Sequence, residues 1–144
     1  MSETVQVFID GASQGNPGPS GIGVAFFTHG ATQPLAAIRK YIGETTNNVA
    51  EYTALIYALQ EALIRGYRSL SVQTDSELVA KQLAGEYKVR DASLQPYYEQ
   101  YLHLKQGFEQ LTVRAIPREQ NHVADQLATA AVDERFDRSL KRAA

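Results

Sequence analysis

Residues 4–10 read TVQVFID, residues 11–20 GASQGNPGPS and residues 21–28 GIGVAFFT. The outer two segments are rich in β-branched and aromatic residues, and the middle one is glycine, proline and serine, so the stretch reads as strand, loop, strand. A short loop permits only antiparallel pairing of its flanking strands. Residues 35–42 (LAAIRKYI) supply a third strand, which completes an antiparallel meander.

The period changes downstream. From about Asn48, the apolar positions Ala54, Leu55, Ala58, Leu59, Ala62 and Leu63 recur at helical spacing and stop at Arg65 and Gly66. Leu70 to Thr74 is a short buried strand, and Ser76 is a natural N-cap for a helix that Gly85 ends. Leu94, Tyr97, Tyr98, Tyr101, Leu102 and Phe108 mark another helix face, on which the tyrosines, with Tyr87 before them, are expected in packing roles. Leu111 to Ile116 reads as a strand, Pro117 to Gln120 as a loop, and Asn121 to about Phe136 as a helix with an alanine-rich face. Strands that follow helices imply crossovers and parallel pairing, so the class is α/β, a mixed sheet with helices on its faces. Residues 1–144 are expected to form one domain, with a frayed charged tail over 137–144.

Composition narrows the function. Hydrophobic residues at 44%, charged residues at 21%, ten glycines and five prolines are ordinary for a globular chain, which excludes collagen-like, coiled-coil and disordered classes. With no cysteine there are no disulfides, thiolate zinc sites or cysteine nucleophiles. No signal-peptide pattern opens the sequence and no run of about 18 apolar residues occurs, so a cytoplasmic protein without membrane association is expected. The net charge of −2 at first argues against nucleic acid. If several acids are neutralised by metal, however, the remaining surface becomes mildly positive. Only Arg39 and Lys40 of the 14 basic residues lie in the first 60, so a phosphate-tracking surface would be built from later segments.

Four acids stand at element ends: Asp10 closing the first strand, Glu51 early in the long helix, Asp75 after the fourth strand and Asp125 early in the last helix. Singly, each has a structural explanation. Asp10 before Gly11 fits a turn, Glu51 and Asp125 fit partners of a helix dipole, and Asp75 fits a cap. In a mixed α/β sheet, however, ligand sites gather where strands end and helices begin, so the four can converge. Converging carboxylates repel unless a cation or a proton intervenes. An all-oxygen donor set suits Mg²⁺ or Mn²⁺, and four acids suit a two-metal site of the kind that hydrolyses phosphodiesters.

The blocks Asp10-Gly11-Ala12-Ser13-Gln14-Gly15-Asn16-Pro17-Gly18-Pro19, Asn47-Asn48-Val49-Ala50-Glu51-Tyr52, Thr74-Asp75-Ser76 and Arg118 through Asn121 to Ala124-Asp125 together resemble the type 1 ribonuclease H family. They lie in family order, and the resemblance spans residue 5 to about 135. The resemblance implies a ribonuclease H-like five-stranded sheet, three strands antiparallel and two parallel, with helices on both faces. It implies a metal-dependent endoribonuclease cutting the RNA strand of RNA/DNA hybrids, with double-stranded RNA as a further candidate substrate, acting as a monomer. Asp10, Glu51, Asp75 and Asp125 match the metal-binding acids. Gly15 and Asn16 match the loop at the RNA sugar edge, where 2′-hydroxyls are sensed, and Thr46 and Asn47 match the helix start that holds a DNA phosphate.

The chain departs from the pattern in several places. Neither the Lys- and Trp-rich protrusion nor an amino-terminal hybrid-binding domain is expected, and residues 85–91 (GEYKVRD) are charge-balanced, leaving Lys88 and Arg90 as candidate phosphate contacts. Arg118 occupies the loop where relatives often have a histidine. His122 is expected in a cap or supporting role, His29 and His103 at the surface, and Glu77 stands where many relatives have an amide. Two other classes compete: a non-catalytic hybrid- or RNA-binding module, against which all four acids stand, and a DNA nuclease or transposase-like enzyme of the same fold, against which the Asn16 loop and Asp125 stand.

Overall fold

The computed structural model describes residues 3–143, with side chains up to Glu134. Strands β1 (Val5–Ser13), β2 (Gly18–Phe27) and β3 (Ala36–Thr45) precede helix α1 (Asn47–Ile64). Strand β4 (Ser69–Thr74), helices α2 (Glu77–Leu83) and α3 (Gln95–Lys105), strand β5 (Gln110–Ala115), a 3₁₀ turn at Arg118–Gln120 and helix α4 (His122–Ala143) follow. The sheet order is β3-β2-β1-β4-β5. The β1–β2 and β2–β3 pairs are antiparallel and the β1–β4 and β4–β5 pairs parallel, as the order of elements implied.

Alternation along the strands assigns the two faces. Val5, Val7 and Ile9 on β1 and Ile22, Val24 and Phe26 on β2 are buried with Ala54, Leu55, Ala58 and Leu59 of α1. The opposite face meets α4 through Gly21 and Gly23. A Cβ on Gly23 would lie 2.1 Å from the Ala124 carbonyl oxygen, so the alanine face of α4 rests on bare backbone. Helices thus cover both faces. Local signals fix their ends: the Thr46 and Ser76 side chains accept the Val49 and Val79 amides at 3.2 and 3.1 Å, and Gly66, at φ +80, follows the C-cap of α1.

Several boundaries differ from the sequence expectation, and strand β2, for one, begins at Gly18 and not at Gly21. Strand β1 continues through Asp10 and Gly11 to Ser13, paired with β2 as far as Ser20, so Asp-Gly here is ladder and not turn. Strand β3 runs on to Thr45, up to the N-cap of α1. Helix α4 reaches Ala143 rather than ending near residue 136 with a frayed tail; only Ala144 of that tail lies outside the described residues. Tyr101 is buried, and Tyr97 and Tyr98 pack against the core, but Tyr87 is 48% exposed and meets the Lys81 ammonium, whose nitrogen is 5.1 Å from its ring centre. Its position in the link after α2 gives it no core face. Among the described residues, no helix is long and apolar enough to cross a membrane.

Candidate active site

The parallel pairing of β1 with β4 sets the ends of these neighbouring strands side by side, and α1 begins against them. Asp10 therefore lies on β1, Asp75 just past β4, and Glu51 in the second turn of α1. Each offers a carboxylate oxygen, and the three oxygens lie within 4.8 Å of one another. Gly11 makes this approach possible. A Cβ there would sit 2.4 Å from the Ala50 carbonyl carbon and 2.5 Å from the Glu51 nitrogen. With only hydrogen in that place, the Gly11 amide donates to Glu51 Oε2 at 2.8 Å.

Glu51 is held at both oxygens. The buried Thr74 hydroxyl donates to Glu51 Oε1 at 2.5 Å and itself accepts the Ser76 amide at 3.0 Å. A glutamate so buried and doubly bonded is aimed into the sheet, which a mere partner of the helix dipole would not be.

Asp125, half-buried in the first turn of α4, stands outside the tight triple but lines the same cleft, and its charge helps raise the pKa of Asp10. Asn121, buried at the entry to α4, makes the link. Its Nδ2 donates to the Ile9 carbonyl at 2.8 Å, its side chain hydrogen-bonds the Asp75 carboxylate, and its backbone carbonyl accepts the Asp125 amide at 3.1 Å. The sequence reading placed Asn121 in a motif but gave it no role. No sequence signal gives it one, because the burial of its amide and its partner Ile9, 112 positions away, arise only on folding.

Burial and mutual repulsion govern the charges. Loss of water around Asp10, reinforced by Glu51 and then Asp75, pushes its carboxyl far above the usual range. Burial also raises Glu51, against the lowering effect of its Thr74 and Gly11 hydrogen bonds. Asp75 is raised by burial, with Asn121 and Arg118 opposing. A cluster that must hold protons when alone fits divalent metal, because a cation between the carboxylates removes the repulsion and their oxygens are the donors Mg²⁺ and Mn²⁺ prefer.

An open cleft of about 540 Å³ surrounds the acids, and its rim includes Gln14, Asn47, Asn48, Ser76 and Arg118. Of the other residues singled out from sequence, Asn16 accepts the Asn47 amide on its Oδ1 at 3.0 Å, beside the positive-φ Gly15, so the loop is tied to the start of α1. The Thr46 hydroxyl is occupied in capping α1. Arg118 is exposed, 3.9 Å from Asp125. Lys88 is not brought to the cleft; it lines a separate depression between the α2–α3 link and α3. His122, His29 and His103 are exposed, and Glu77 borders a neighbouring depression shared with Asp75 and Arg118.

The chain is similar to known proteins along most of its length. Residues 8–131 match the family model described as reverse transcriptase-like. A bifunctional protein of Mycobacterium tuberculosis is 40% identical over 90% of the chain, which spans only 35% of that relative's length. The crystal structure of RNase H1 from the halophilic archaeon Halobacterium salinarum superposes with a TM-score of 0.87 at 37% identity, covering 91% of this chain and 98% of that one. LC11-RNase H1, solved in complex with an RNA/DNA hybrid, superposes at 0.86 with 39% identity, over 92% and 99%.

Proposed function

Since the chain belongs to the type 1 ribonuclease H family, we propose that it is a metal-dependent endoribonuclease that hydrolyses the RNA strand of RNA/DNA hybrids, with double-stranded RNA as a second substrate. The observation that carries this reading is the triple of Asp10, Glu51 and Asp75 oxygens within 4.8 Å, in an open cleft that Asp125 completes. Asp10, Glu51, Asp75 and Asp125 would hold two Mg²⁺ ions, with Mn²⁺ able to replace them. When bound, the ions supply the positive charge that activates water and stabilises the leaving oxygen at a phosphodiester.

The protein's own groups orient the reaction. Thr74 and Gly11 hold both Glu51 oxygens and leave the carboxylate no freedom to turn away. Asn121 holds the Asp75 carboxylate in place. Gly15 and Asn16 present backbone and amide groups to the sugar edge of the RNA strand, where a 2′-hydroxyl can both donate and accept. The α1 terminus at Thr46 and Asn47 offers its dipole and the Asn47 side-chain amide to a phosphate of the DNA strand. Arg118, 3.9 Å from Asp125, would pass to a phosphate at the cleft mouth, and Lys88, which lies away from the cleft, would touch the backbone farther along the duplex. The unit is expected to act as a monomer in the cytoplasm.

The test is cleavage of end-labelled RNA/DNA hybrid, double-stranded RNA, single-stranded RNA and double-stranded DNA with Mg²⁺ or Mn²⁺. Hybrid should be cut in its RNA strand. Asp10→Asn should lower the rate at least about a thousandfold, because it removes a ligand charge from the heart of the cluster. Cutting of the all-DNA duplex at the hybrid rate, or near-parent turnover by the metal-loaded variant, would overturn the assignment.

A further inference from the structure

Ser20 is fully buried near the start of β2, where three segments meet. Its Oγ lies 2.6 Å from Ser13 Oγ on β1, 2.9 Å from the Gly18 carbonyl and 3.2 Å from the Thr45 carbonyl, and Ser13 Oγ is itself 3.5 Å from that same Thr45 oxygen. Two hydroxyls carry two protons. Once one proton serves the bond between the serines, the other is left for the two carbonyls. Gly18 belongs to the far side of the 14–18 loop, and Thr45 immediately precedes the N-cap of α1. The β2–β3 register shifts between Ser20 and Gly21, an irregularity of the kind that re-aims a side chain.

A second tie joins the same two parts. The Asn47 amide donates to Asn16 Oδ1 at 3.0 Å, but this bond is exposed and competes with water, whereas the serine pair is sheltered. The loop and the first turn of α1 are therefore fastened to each other twice, with the buried Ser20 hydroxyl and the half-buried Ser13 hydroxyl as the inner fastening.

We propose that Ser20 is a positioning residue that sets the spacing between the 14–18 loop and the N-terminal turn of α1, and so the width of duplex minor groove the cleft accepts. This rests on the hybrid-cleavage reading above, in which the loop faces the RNA strand and the helix start faces the DNA strand. Two contacts on opposite strands of one duplex act as a gauge. Groove width differs between duplex types and is recognised as deformation energy, with no base contact needed. A fixed gauge favours the hybrid over double-stranded RNA, and loosening it removes the preference.

Ser20→Ala keeps the Cβ and removes only the oxygen. Hydrogen exchange of the Asn47 amide in the metal-free chain should accelerate about tenfold. On hybrid with Mg²⁺, KM should rise about fivefold with kcat changed less than about twofold, the scale of one lost hydrogen bond away from the reacting atoms. With Ca²⁺ in place of Mg²⁺, the ratio of the dissociation constants for hybrid and double-stranded RNA should move toward one. Ser13→Ala, which leaves the Ser20 donor in place, should shift each readout the same way by less. Unchanged exchange at Asn47 would show that no strap exists. Faster exchange with unchanged KM and unchanged discrimination, or a fall in kcat alone, would overturn the gauge. A parent chain that cuts no hybrid overturns the underlying reading and the gauge together, while the exchange measurement still decides whether the strap is there.

Discussion

Glycine at position 11 is what lets an acid from a helix meet an acid from a strand. Any Cβ there would overlap the backbone of α1 at Ala50 and Glu51, at 2.4 and 2.5 Å, and backbone cannot rotate aside. Gly11→Ala is therefore expected to push α1 off β1, break the Gly11–Glu51 hydrogen bond and draw Glu51 away from Asp10. Overpacking of this kind costs about 1–3 kcal/mol. Loss of catalytic geometry should be the larger effect, at least about a hundredfold in kcat, since misplacement of about 1 Å suffices for that. A folded variant with parent kcat would show that the Asp10–Glu51 approach does not matter. At this scale the sequence named the right acid beside the right glycine but ended the strand at Asp10 and began the loop at Gly11. The ladder partner that makes it a strand, Gly23 opposite Asp10, is not a neighbour in sequence.

Helix α4 delivers Asp125 to the cleft, and two features seat it. Gly21 and Gly23 let it lie close to the sheet, and Asn121 pins its entry to the Ile9 carbonyl. Asn121→Ala leaves that carbonyl and the Asp75 carboxylate without their donor. The expected loss of stability is about 1–3 kcal/mol, by the usual penalty for an orphaned buried group. Because the same amide holds Asp75 and the entry to α4, Mg²⁺ affinity should fall as well, read as a higher Mg²⁺ concentration for half-maximal cleavage. Lower stability with an unchanged Mg²⁺ requirement would confine Asn121 to a structural role. The helix itself was legible from its alanine spacing. Its seat on bare glycine backbone was not, because the glycines lie in a strand about a hundred residues earlier.

Across the whole molecule, the acids couple folding to pH and metal. Burial and mutual repulsion raise Asp10, Glu51 and Asp75 above their unfolded values, so the metal-free folded chain binds more protons than the unfolded chain. The stability these groups contribute is then fully present below about pH 4, where they are protonated in either state. It is lost as pH rises through the raised folded values. Thermal melts in a chelator should thus show Tm falling from mildly acidic toward alkaline pH, and added Mg²⁺ should raise Tm most at the alkaline end. Asp10→Asn should flatten the chelator curve. A chelator Tm that climbs with pH over the same range would mean the acids are not in mutual repulsion.

The sequence by itself determined the order and type of the elements, because strand and helix periods and cap residues such as Thr46 and Ser76 are local properties. It also singled out Asp10, Glu51, Asp75 and Asp125, since acids at element ends carry a topological expectation. Only the tertiary structure decided which of them share a distance of 4.8 Å, that Lys88 lies away from the cleft, and that Thr74, Asn121 and Ser20 hold the parts together. Those facts depend on hydrogen bonds between residues 23 to 112 positions apart. No local pattern encodes them, because a hydroxyl or an amide acquires its role from the partner that folding brings to it.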